Sequence, residues 1–251
     1  VRLILEGDVY GVGYKVSGQW SDDTNQFELK DAYGTFGLAG LDFKFGQFKT
    51  AFMREWNIDR QDTLMADRSI VAYTFGRFDF RASYTDGFNT ANGAGVENGY
   101  ALTARLGVDV TDWWNLGAAV SWNDLDTTDY TTYTVDSGLN FGALDLTAAF
   151  TGVNRDAGDD WAATFTAAYQ CMDNLQGYLA YEYGELEGAA DNLSVVTVGA
   201  NYFINDNVKW TTDIGYALNG IGAGWDTAST GWNGSSDSGE YLLRTQIQIS
   251  F

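Results

Sequence analysis

The chain has 251 residues, with 34 acids against 14 bases for a formal charge of −20, and it contains neither His nor Pro. That negative excess excludes nucleic acid as a partner, because phosphates are repelled. The missing His removes imidazole-activated nucleophiles, imidazole zinc sites and the usual general bases, so the reading expects no enzyme and no cofactor.

Aromatics make up 16% of the residues and Gly contributes 30, yet no run approaches the roughly 18 to 20 consecutive apolar residues of a membrane helix. Period-two alternation recurs instead, in segments of about ten residues, the length with which a tilted strand crosses a bilayer. Val1 opens no basic, apolar and small-residue leader. The sequence is therefore expected to be mature or trimmed. The single Cys171 has no internal disulfide partner.

In chain order, strands are predicted near 1–10, 12–21, 27–37, 40–49, 69–76, 78–88 and 98–110, then 113–123, 130–141, 143–153, 160–171, 174–184, 191–203, 207–219 and 240–251. The phase is clear in 98–110, where Tyr100, Leu102, Ala104, Leu106, Val108 and Val110 oppose Thr103, Arg105, Gly107 and Asp109. Trp114, Leu116, Ala118, Val120 and Trp122 repeat it, as do Val208, Trp210, Thr212, Ile214, Tyr216 and Leu218.

The last segment sets Tyr241, Leu243, Thr245, Ile247, Ile249 and Phe251 against Arg244, Gln246, Gln248 and Ser250. A strand with one apolar and one hydrated face is what a membrane barrel wall requires. The aromatic last residue resembles the C-terminal assembly signal of bacterial outer-membrane proteins. Short turns near Gly40, Gly76, Asp112, Gly142, Asp173 and Asn205 alternate with longer polar connections at 21–26, 50–68, 89–97, 124–129, 154–159, 185–190 and 220–239. Aromatics near segment ends fit interfacial girdles.

The expected fold is thus a single-domain, all-β transmembrane antiparallel barrel over residues 1–251. About fifteen strands are visible, and a sixteenth is expected before Val1 because single-chain bacterial barrels have even strand numbers. A soluble sandwich is the competing architecture. It is disfavoured because the inward faces are polar, whereas a dry core would have to be filled with apolar side chains.

Residues 40–56, with Gly46, Gln47, Phe48, Lys49 and Phe52, followed by Asp67-Arg68-Ser69 and preceded by Leu29-Lys30-Asp31-Ala32-Tyr33, resemble the phosphate-selective porin O and P family. The resemblance is carried mainly by residues 1–90. It implies a 16-stranded, usually trimeric porin of the bacterial outer membrane, in contact with lipid and passing ions or small hydrophilic solutes. The family's arginine ladder is not matched residue by residue.

Alternation turns Arg2, Lys15, Lys44, Arg81, Arg105, Lys209 and Arg244 inward, and Lys30 is assigned with them as a pore-lining base. Asp136, Asp145 and Glu182 are the expected acidic lining. The connection 50–68 mixes Arg54, Arg60 and Arg68 with Glu55, Asp59, Asp62 and Asp67, and carries Phe52, Trp56, Leu64 and Met65 as apolar anchors. It is predicted to fold into the lumen as a constriction, the alternative being a solvated external loop. Acidic clusters at Asp22-Asp23, Asp124 to Asp129 and Asp156 to Asp160 could offer oxygen ligands to Ca²⁺. A water-filled channel is the leading expectation, and a non-conducting structural or adhesive surface barrel its rival.

Overall fold

The structure is a computed structural model that describes residues 2–21, 26–48, 66–85, 100–125, 128–189, 192–205, 207–221, 225, 232 and 237–249. The described chain is built of strands: β1 (Arg2–Val9), β2 (Val12–Ser21), β3 (Gln26–Leu38), β4 (Leu41–Phe48), β5 (Ala66–Phe75), β6 (Phe78–Thr85), β7 (Tyr100–Thr111) and β8 (Trp114–Leu125). They continue as β9 (Thr128–Phe141), β10 (Leu144–Arg155), β11 (Gly158–Met172), β12 (Leu175–Glu185), β13 (Leu193–Asn205), β14 (Val208–Ala217) and β15 (Tyr241–Ile249). Neighbours in sequence are neighbours in the sheet, from β1 through to β15. Phe251 lies outside the described residues, and so does any strand before Arg2.

Local chemistry sets the meander. Tyr10-Gly11 and Ala39-Gly40 each turn with φ of 54° and 81°, the double positive φ of a two-residue turn whose twist matches the flanking strands. The Asp8 carboxylate accepts the Gly11 N–H at 3.0 Å.

Two connections expected to be long are short. Only residues 126 and 127 separate β8 from β9, and only Asp156 and Ala157 separate β10 from β11. The residues assigned to loops continue the pairing instead, so β9 and β11 reach 14 and 15 residues. That exceeds the roughly 9 to 11 residues a tilted strand needs to cross a bilayer.

The chain forms two compact units, residues 1–109 with 117–134, and 110–116 with 135–251. In the first, one face of the sheet carries Leu5, Tyr14, Phe45, Phe80, Leu102, Leu106, Val120 and Trp122, all exposed. Its Tyr84, Tyr100 and Trp122 rings meet at 5.9 Å steps near the long connections. The opposite face is hydroxyl-rich, and Ser17, Thr85, Thr103, Ser121, Asn123, Thr132 and Thr134 are buried there. Thr103 donates to Ser121 at 2.8 Å, and Asn123 reaches the carbonyls of Ser121 and Tyr130 at 3.3 and 3.4 Å.

In the second unit Tyr169, Leu179, Val198, Ile214, Tyr216, Leu243 and Ile247 are exposed on the apolar face. Trp113 packs on Phe141 at 5.3 Å at the short-turn end, and Phe150, Trp161 and Tyr183 form a second aromatic run at the other end. Ile214 is 46% exposed while Thr197, on the other face, is 4% exposed. Exposed apolar side chains on one face with sequestered polar ones on the other invert the plan of a water-soluble protein.

Candidate pore wall

The polar face of the second unit is ordered in cross-strand rows. Gln176, Asn201, Thr211 and Gln246 are register partners across four strands. Thr211 donates to Asn201 at 2.7 Å, and Asn201 to Gln176 at 2.9 Å. The next row is Tyr178, Gly199, Asp213 and Arg244. Gly199 has no side chain, so Tyr178 leans across it and donates its hydroxyl to Asp213 Oδ2 at 2.8 Å. Arg244 Nε donates to the other oxygen at 2.7 Å.

Further along, the rows lose polarity. Ala180, Thr197, Gly215 and Leu242 are followed by Glu182, Val195 and Ala217, then by Gly184 and Leu193. Apolar side chains on a wetted face need cover. Ile221 and Trp232, from the connection between β14 and β15, supply it and form a cluster with Val195 and Ala217, against which Leu193, Trp225 and Leu242 pack.

In the first unit the inward bases climb the wall. Lys15 pairs in register with Tyr33, Thr35 with Lys44, and Arg81 with Arg105. Lys44 lies one inward position from the Lys15 row, because Tyr33 pairs with Gly46. These cations are compensated locally. Lys15 faces Glu6 at 3.5 Å, Arg81 contacts Asp79 at 2.9 Å, and Lys44 sits 4.4 Å from the Tyr33 ring centre. Arg105 is buried directly opposite Arg81.

The Gly46-Gln47-Phe48 motif has a structural logic. Gly46 holds φ at 117°, where an added Cβ would lie 2.3 Å from the Ala32 carbonyl oxygen. Gln47 is then buried and donates to the Leu29 carbonyl at 3.1 Å. Phe48 turns to the polar face, edge-on to Tyr33 at 5.8 Å.

Several sequence assignments change. Lys30 sits where the register skips from Ser17–Asp31 to Gly18–Leu29, a bulge at which strict alternation no longer fixes its side. Asp67 and Arg68 belong to β5, paired with Gln47 and Gly46, so they are not loop residues. Ladder hydrogen bonds begin three residues before the predicted strand start. Asp136 lies on the polar face with Thr132 and Thr134 and is 5% exposed.

Asp145, at the short-turn end, accepts a hydrogen bond from Asn140 at 2.5 Å, while Glu182 is exposed in the row of Val195 and Ala217. Lys209 is half-buried beside Gln248. The Arg2 backbone pairs with Gln19. Arg54, Glu55, Asp59, Arg60 and Asp62 lie outside the described residues. Asp160, expected among the calcium-type acids, is paired with Arg155 and accepts the Glu187 N–H at 2.9 Å. Asn154 donates to Asp159 at 2.7 Å, and no three acidic, His or Cys groups converge on one point among the described residues.

With this wall described, a family model for Gram-negative porins matches residues 5–222. The chain belongs to the Gram-negative porin family. The porin lies in the outer membrane and passes ions and small hydrophilic solutes by passive diffusion. Comparison with curated proteins gives no match. Among solved structures, OmpT of Vibrio cholerae superposes with a TM-score of 0.69 at 13% identity, covering 99% of this chain and 88% of that one.

An anion-selective porin from Comamonas acidovorans gives 0.69 at 14% identity, covering 99% and 87%. A mutant porin of Rh. blastica gives 0.65 at 16%, covering 100% and 89%. These likenesses establish the fold as an outer-membrane β-barrel. In a barrel wall of this kind the apolar face is the outer one and the polar face the inner one. The family match meets the motif resemblance at the coarser level of a Gram-negative porin.

The signal that sequence reasoning missed is in the connection 220–239, whose composition reads as polar. Ile221, Trp225 and Trp232 are apolar residues facing Gly184, Gly215 and Ala217, an arrangement visible only once the rows are aligned.

Proposed function

We propose that the porin is a general diffusion channel whose ion preference is set by compensated charges along its wall, without a dedicated anion site. The observation that supports this is the pairing of inward bases: Lys15 with Glu6, Arg81 with Asp79 and Arg244 with Asp213. A base beside a carboxylate presents a dipole to a passing ion, and its field falls off faster than that of a lone charge. The acidic composition does not decide selectivity, because charges on exposed connections are screened within about 8 Å at physiological salt.

Single-channel recording in planar bilayers tests the reading. Stable current steps that grow in proportion to salt concentration are expected, with weak selectivity in reversal potentials. A silent barrel would favour the structural or adhesive alternative. Block of chloride current by low phosphate would favour the finer phosphate-selective placement that the Gly46 to Phe52 motif suggests. We further propose a homotrimer, in line with the trimer form named for the Vibrio cholerae OmpT neighbour. Light scattering of detergent-solubilised protein gives the mass that decides it.

A further inference from the structure

We infer that Trp225 and Trp232 form a two-point latch on the inner wall of the second unit and that their rings narrow the pore there. The inference rests on the diffusion-channel reading above and adds the element that sets its width.

The inner wall drives the docking. From Asp213 toward the long connections, the inward positions of β13, β14 and β15 change to Val195, Ala217 and Leu242. In an open lumen these side chains would face water. Ile221 and Trp232 instead cover them and are themselves 2% and 8% exposed. The two indoles fit onto glycines. A Cβ on Gly184 would meet Trp225 Cη2 at 2.4 Å, and one on Gly215 would meet Trp232 Cζ2 at 3.1 Å. Glycine at these two inward positions therefore gives each ring a flat seat.

The base of the connection is pinned by backbone bonds: Gly239 N–H to the Ala217 carbonyl at 2.8 Å, and Leu218 N–H to the Ser194 carbonyl at 2.8 Å. The Ser238 hydroxyl donates to the Leu218 carbonyl at 2.8 Å.

The two seats are unequal. Trp232 lies in the apolar cluster, whereas the Trp225 indole N–H is buried with no acceptor among the described residues. A buried donor left unpaired costs free energy that water would return if the ring swung out. Trp225 is thus the weaker point.

Single-channel recording with polymer exclusion tests this, using variants checked for folding by heat-modifiable mobility. Trp232→Ala should raise conductance and admit larger polyethylene glycols. Gly184→Ala and Gly215→Ala keep both indoles but fill their seats, and should act in the same direction. Trp225→Phe removes the unpaired N–H and keeps a ring, so it should quieten open-channel noise relative to the unmodified chain, while Trp225→Ala should increase it. Folded variants with unchanged conductance, polymer cut-off and noise would overturn the latch. A silent unmodified chain would instead overturn the channel reading on which it rests.

Discussion

Asp213 accepts the Arg244 Nε–H on Oδ1 at 2.7 Å, and its second oxygen accepts the Tyr178 hydroxyl at 2.8 Å. The Asp213 side chain is 11% exposed and that of Arg244 is 39% exposed. The acid is therefore the fixed member and the base the one that meets solutes. Asp213→Asn should leave a net positive wall at this row and move the reversal potential toward anion preference, whereas Arg244→Gln should move it toward cations. One unit charge acts on an ion 4 Å away with about 1 kcal/mol in water, or about a fivefold change in local ion concentration. Reversal potentials under a salt gradient check both variants, and shifts of the same sign would remove the pair from the pore.

This pair also shows what could be read from the chain. Alternation alone turns Arg244 inward, because the apolar face of β15 fixes the phase of the whole strand. Its partner could not be placed, since Asp213 lies 31 residues earlier and only the strand register brings the two together. The same limit applies to Trp232 and Gly215. Alternation fixes no side where the register skips, as at the Lys30 bulge. Strand ends were misjudged at Asp67 and at residues 154–159, because polar residues continue a ladder as readily as they form a loop once hydrogen-bond partners are in reach.

Arg81 and Arg105 are direct cross-strand partners in the first unit, so two like charges share one row. Asp79 contacts Arg81 at 2.9 Å and relieves that repulsion. Neutralising both arginines should shift selectivity toward cations, and Asp79→Asn should shift it toward anions. The Asp79 variant should also fold less efficiently, since it removes the carboxylate that contacts Arg81 at 2.9 Å. Refolding yield in detergent, measured beside the reversal potential, checks the two effects separately.

Gly46→Ala should be damaging although alanine adds one methyl group. The residue holds φ at 117°, and the new Cβ would lie 2.3 Å from the Ala32 carbonyl oxygen and 2.9 Å from Tyr33 Cα. Both obstacles are backbone, so no side chain can move aside. A non-glycine residue in such a conformation costs on the order of 1 to 3 kcal/mol, before the steric overlap is counted. A lower urea midpoint for unfolding from detergent or vesicles is the expected result. An unchanged midpoint would mean that β4 relaxes at its end without loss.

The division between lipid and lumen faces can be tested by moving one charge across the wall. Ile214 is 46% exposed on the apolar face, and Thr211 half-buried on the polar face of the same strand. An arginine on the lipid face of a barrel costs about 2 to 4 kcal/mol at the bilayer midplane and about 0 to 1 near the interface. Ile214→Arg should therefore lower folding free energy in vesicles by an amount that reports its depth, with little change in conductance. Thr211→Arg should do the reverse: it places a new cation in the Gln176, Asn201 and Gln246 row, lowers cation current and costs less stability because water reaches that face. Paired measurements of vesicle folding and ion selectivity on the two variants decide the assignment, and an exchange of the two phenotypes would turn the whole strand over.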